Sequence, residues 1–240
     1  MDMVASVMAS TWFQAGNWMV RNDNAGVSYG NFVWAPIGVW TEAPDWDANP
    51  CCGGGLHGQG PQAFGYAQAG TRLVLCEVDP ADRACIGADK LKVRRARIVL
   101  VDDDVLRCFL GGFPGSFDLR SLEALPEGVS LSAGGWLNLR SLKALPKGVS
   151  LSAGESLDLR SLKALPEGVS LSAGEWLDLW SLEALPKEVS LSAGEWLDLR
   201  SLKALPKGVS LSAGGSLDLR SLEALPEGAL VQAACVFLKV

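Results

Sequence analysis

The sequence predicts a mainly β protein: a small α+β domain over residues 1–112, then a parallel β-solenoid of about six 20-residue coils over 113–240. Three observations carry this. From Ser121 the unit SLEALPEGVSLSAGGWLNLR recurs head to tail, with few changes, to Arg220, and a decayed copy, SLEALPEGALVQAACVFLKV, follows. A fixed period of this length means coil stacked on coil, because no single copy can bury its own apolar side chains. Each copy contains two stretches of period-two alternation, the signature of half-buried strands. The residues before the repeat are rich in Trp and Gly and show little period.

Bulk composition narrows the function classes. The chain has 48% hydrophobic and 20% charged residues, which argues against global disorder. Its net charge of −6 divides evenly, −3 on residues 1–115 and −3 on the rest. Neither part has the basic excess that binds phosphate backbones, so no nucleic-acid partner is expected. No stretch reaches the ~18 apolar residues of a membrane helix. The opening MDMVASVMAS lacks a basic n-region and a long apolar core, so no signal peptide is expected. Cys51, Cys52, Cys76, Cys85, Cys108 and Cys235 show no disulfide-framework spacing and read as reduced thiols of a cytoplasmic protein.

In the first domain the strand candidates are Trp12–Val20, Phe32–Trp40, Arg72–Val78 and Lys92–Val101, with short helices at Pro61–Ala69 and Asp103–Leu110. Its most distinctive stretch runs from Asp45 through Cys51 and Cys52 to His57, the single histidine of the chain. As an enzyme site, His57 would be a general base and Cys51 or Cys52 a nucleophile, with Asp45 beside them. As a metal site, Cys51, Cys52 and His57 would be ligands, but adjacent cysteines chelate one tetrahedral ion poorly and no C-x2-C spacing occurs. As a structural loop, the glycines make tight turns and His57 bonds to backbone. No cofactor or metal is expected. The element Gly55-Leu56-His57, with Phe64 and Tyr66, the strand Leu73–Val78 and the basic strand Lys90–Ile98, resembles an uncharacterised bacterial and phage module found ahead of repeat arrays. That resemblance implies organisation rather than chemistry. The basic run Lys90–Arg97 reads as a solvated edge strand guarded by charge.

In the coil Ser161–Trp180, Val169-Ser170-Leu171 and Leu177-Asp178-Leu179 are the two strands, and Leu162 and Leu165 anchor a third side that Pro166 ends. Copies differ at outward positions: Glu or Lys at 123, 143, 163, 183 and 203, Trp or Ser at 136, 156, 176, 196 and 216, Asn at 138 and Trp at 180. Glu188 replaces a glycine found at 128, 148, 168 and 208, which suggests a corner that needs no positive φ. The LxL, following Leu and Leu-Pro of Leu177–Pro186 resemble the short leucine-rich repeats of bacteria, but the asparagine inside the turn is missing and a second strand stands where a helix would follow.

Outward columns of Asp118, Asp158, Asp178, Asp198, Asp218 and of Arg120, Arg140, Arg160, Arg200, Arg220 neutralise one another. The same face carries the candidate partner-binding set Trp136, Trp176, Trp180, Trp196, Arg160 and Arg200, residue types enriched at binding hot spots. The apolar end, Ala229–Val240, is read either as a cap folded over the last coil or as an edge for self-association. Two functions follow. The first is a non-enzymatic scaffold whose solenoid binds a protein partner. The second is an enzyme or effector with its active site in the Asp45–His57 loop and the repeats as a targeting arm.

Overall fold

The computed structural model describes residues 2–28, 31–51, 53–61, 70–86, 90–226 and 228–239. The chain is mainly β and divides into two compact units, Met1–Gly115 and Ser116–Val240.

The first unit begins with two short helices, α1 (Met3–Met8) and α2 (Thr11–Gln14). Strands β1 (Trp18–Asp23), β2 (Val27–Ser28), β3 (Phe32–Val33), β4 (Thr41–Glu42), β5 (Leu56–Gly58), β6 (Arg72–Val78), β7 (Arg83–Ile86), β8 (Lys90–Val93) and β9 (Arg95–Val101) follow, then helix α3 (Asp103–Cys108). One sheet has the order β1-β6-β9-β4 and another β5-β8-β7. Met19, Trp34, Val74, Cys76, Val93 and Ile98 belong to one buried core drawn from both.

Three expectations change here. Trp12–Val20 is not one strand. The Ser10 hydroxyl accepts from the Phe13 amide and caps α2, Gly16 at φ 72 breaks the chain, and only then does β1 start. Pro36 and Gly38, the latter at φ 84, end the Phe32–Trp40 strand after Val33. The run expected over Lys92–Val101 is cut at Arg94, whose amide donates to the Asp82 carbonyl, so its two parts enter different sheets. The basic run is therefore no solvated edge: β8 is the central strand of its sheet, and Lys90 and Lys92 are buried. The helix expected at Pro61–Ala69, with Phe64 and Tyr66, lies almost wholly outside the described residues.

The second unit is a parallel β-solenoid of about six coils. One sheet collects Phe117–Asp118, Leu137–Asn138, Leu157–Asp158, Trp176–Asp178, Trp196–Asp198, Ser216–Leu219 and Cys235–Leu238 in order. We call it the tryptophan face. A six-stranded serine face runs from Leu131–Ala133 to Leu230–Gln232. Pairing sets each residue opposite its equivalent one coil on, as in Leu171↔Leu191 and Leu177↔Leu197, until the last tryptophan-face strand, where Ser216 meets Cys235, one residue short of the repeat. The third side makes only isolated bridges, Ala124↔Ala144 and Ala164↔Ala184, because the following proline offers no amide. Leu162, Leu165, Val169, Leu171, Ala173, Leu177 and Leu179 fill the inside of one coil.

Two kinds of glycine build the corners. Gly128, Gly148, Gly168 and Gly208 have φ between 70 and 80, and Glu188 takes the same left-handed conformation at φ 61. That corner does demand a positive φ, contrary to the inference from Glu188; the glutamate accepts the strain. Gly154, Gly174, Gly194 and Gly214 are needed for another reason. A Cβ at any of them would overlap the carbonyl oxygen of the glycine one coil earlier.

The end of the solenoid is not a folded-over cap. Leu230–Gln232 and Cys235–Leu238 join the two faces as their last strands. Leu230, Val236, Phe237 and Leu238 remain exposed there.

Candidate functional site

The tryptophan face owes its regularity to one turn repeated in each coil. Leu122 donates its amide to the Leu119 carbonyl, and the equivalents at 142, 162, 182, 202 and 222 do the same. The column residue just before this turn caps it. Asp118, Asp158, Asp178, Asp198 and Asp218 each accept, through Oδ1, the amide two residues on, and Asn138 does so equally well. This Asx turn explains why the column tolerates Asp and Asn.

In four coils the residue after the capped leucine is an arginine whose guanidinium folds back on the same carboxylate. Nε of Arg120, Arg160, Arg200 and Arg220 donates to both oxygens at 2.9–3.1 Å, and Nη2 donates to Oδ2. Hydrogen bonding to Asp raises each of these four arginines above its ordinary value. The expected ladder is thus a stack of chelated pairs. In the Asn138 coil the Arg140 side chain makes no ion pair among the described residues. Elsewhere, Lys143 meets Glu123, Lys203 meets Glu183 and Lys147 meets Glu167 from neighbouring coils. All are exposed, so each contributes ~0–1 kcal/mol.

The pattern fails once. Position 180 is Trp, so Asp178 has no guanidinium of its own. It receives the Trp180 amide at 3.0 Å and, across one coil, Arg160 Nη2 at 3.5 Å. Burial, more than any neighbour, pushes its carboxyl above the usual 3.8.

Beside this break the face opens into a groove of about 830 Å³. Trp176 and Trp196 stand in register on adjacent coils, and Asp178, Glu195, Asp198 and Arg200 line it with them. The floor is Gly214, Gly215 and Ser216. At 215 and 216 the two preceding coils carry Glu175-Trp176 and Glu195-Trp196, so a change to small residues makes the depression. Trp176 is 58% exposed, and its Nε1 donates to Glu195 at 3.2 Å. Trp196 is half-buried, its ring 5.8 Å from that of Phe237. The Arg200 guanidinium lies 5.1 Å from the Trp180 ring.

Of the partner-binding candidates, the fold therefore brings together Trp176, Trp196 and Arg200, with Trp180 stacked against the last. Trp136 stands apart, two coils from Trp176 with Ser156 between, its amide bonded to Ser116. Arg160 does not line the groove; it is engaged by Asp158 and Asp178. The sequence reading missed Asp178, Glu195 and Asp198 as groove residues. The signal was present: a column carboxylate whose arginine, two residues on, has become tryptophan.

The N-terminal candidates are placed differently. Asp45 Oδ1 accepts the Gly55 amide at 3.1 Å, closing the loop on itself. Cys51 is exposed, and its carbonyl accepts from Lys92 Nζ, which also donates to the Asn49 carbonyl at 2.9 Å. Cys52 lies outside the described residues. His57 sits on β5 opposite Lys92 and is held down to about 4, first by burial and then by Lys90, Lys92 and Arg21, with Asp45 opposing. The neighbouring cleft is lined by Glu42, Ala43, Pro44, Trp46 and Arg94, not by Asp45 or His57. No cluster of His, Cys, Asp or Glu suited to a metal ion occurs among the described residues. No helix among them is long and apolar enough to cross a membrane.

No protein-family model, curated protein or solved structure matches this chain.

Proposed function

We propose that this protein is a non-enzymatic binding protein whose solenoid presents the Trp176–Trp196 groove to an extended segment of a protein partner. We also read its coil as kin to the short bacterial leucine-rich repeats, on the LxL, Leu and Leu-Pro that it keeps. The observation that carries the binding role is the pairing of Trp176 and Trp196 in register above a floor of small residues. Two large rings on one rigid sheet offer apolar contact area at little conformational cost. Charged groups at the rim fix orientation, and Trp and Arg are the side chains that most often dominate interface energy. A groove running across parallel strands also suits an extended chain better than a small substrate.

Selection of random peptides displayed on phage tests this. Peptides enriched on the wild-type protein are expected to lose at least tenfold in affinity, about 1.4 kcal/mol, on the Trp176→Ala/Trp196→Ala protein. Failure to enrich any peptide, or equal binding by the double variant, would remove the proposal.

A further inference from the structure

We propose that the groove takes an arginine side chain of the partner protein, seated on Asp178 as the guanidinium that position 180 no longer supplies. This rests on the groove being a partner site and adds the chemistry of what enters it.

The solenoid itself shows the geometry of the bound group. Four column carboxylates are chelated by a guanidinium through both oxygens, at Asp118, Asp158, Asp198 and Asp218. Asp178 stands on the same strand register and keeps the same Asx turn, so its oxygens are presented alike. It lacks the chelating guanidinium of its own coil and meets only Arg160 Nη2, at 3.5 Å from one coil away. The exposure of the carboxylates follows this. The Asp178 side chain is 29% exposed, against 2%, 20%, 9% and 1% for Asp118, Asp158, Asp198 and Asp218. It is the most open of the five, and it opens into the groove.

Charge and shape agree. Of the groove carboxylates, Asp198 is satisfied by Arg200, whereas Asp178 shares Arg160 with Asp158 and Glu195 is matched, among the described residues, by an indole N–H and no cation. The groove therefore carries surplus negative charge. Trp176, two residues before Asp178 on the same outward face, gives a flat ring beside it, and a planar guanidinium can stack on such a ring while its N–H fork meets a carboxylate. An ammonium is a point charge without that fork, which favours arginine over lysine.

The test uses the full-length protein and fluorescein-labelled peptides of alternating serine and arginine, with matched peptides in which arginine is replaced by lysine or by citrulline, its neutral isostere. The arginine peptide is expected to bind about tenfold or more tightly than the citrulline peptide. Asp178→Asn is expected to erase that difference. Trp180→Arg installs the residue found in five other coils, so it should fold, fill the site from within and abolish binding of the arginine peptide. Equal binding of the arginine and citrulline peptides, or undiminished arginine-peptide binding by Trp180→Arg, would overturn the inference. Phage-selected peptides that need Trp176 and Trp196, yet are indifferent to arginine-to-citrulline replacement and to Trp180→Arg, would leave the groove as a partner site and remove the arginine.

Discussion

At the residue scale, the solenoid uses glycine for two separate physical reasons, and the two predict different costs. Gly168 sits at φ 75 with only loose contacts around the position of a Cβ, so Gly168→Ala meets a dihedral penalty of roughly 1 kcal/mol. Gly174 has no such dihedral, but its Cβ would occupy the Gly154 carbonyl oxygen. Gly174→Ala must push two coils apart and is expected to cost roughly 3 kcal/mol or more in urea denaturation. Glu188→Gly relieves strain at φ 61 and should stabilise by roughly 0.5–1 kcal/mol. His57 makes a pH prediction. Its folded-state value of about 4 lies below the ordinary 6.5, so between the two the unfolded chain binds a proton that the folded chain refuses. The stability at stake is whole above pH 6.5 and is lost as pH falls towards about 4. Denaturation at pH 7 and pH 5 should show a smaller loss for His57→Gln than for wild type.

At the element scale, much of the solenoid was legible because period-two alternation and a strict twenty-residue repeat specify strands, register and partners together. The outward columns were legible for the same reason: Trp176, Trp196 and Arg200 vary or alternate where Leu177 and Leu197 do not. Asp178 was not, because its importance comes from what stands two residues later rather than from the aspartate itself. The glycine corner was misread because one substitution, Glu188, was taken to mean tolerance when it means strain. In the first unit, Lys90 and Lys92 looked like edge charges. The burial of Lys92 depends on the Asn49 and Cys51 carbonyls, more than forty residues away in sequence, which no local pattern reveals. The elements themselves predict a length effect. Deleting residues 141–160 removes one whole coil and keeps every register, so circular dichroism should show a folded, somewhat less stable β protein. Deleting only 141–150 places the serine-face strand Leu131–Ala133 against Ser161–Lys163 and the tryptophan-face strand Leu137–Asn138 against Glu167–Gly168, and should prevent the solenoid from forming.

At the scale of the whole molecule, near-identical coils make a regular surface, and a regular surface has no reason to bind at one place. Specificity enters where the repetition lapses: Gly215-Ser216 line the groove, and Trp180, two coils earlier, lies against its Arg200. The most direct measurement follows the indole N–H signals of all nine tryptophans by ¹H–¹⁵N NMR while a phage-selected peptide is titrated into the full-length protein. The account predicts that Trp176, Trp180 and Trp196 shift together and saturate at one affinity, while Trp136 and the five tryptophans of the first unit stay in place. Saturating shifts confined to Trp136 or to Trp12, Trp18, Trp34, Trp40 and Trp46, with Trp176 and Trp196 unmoved, would contradict it.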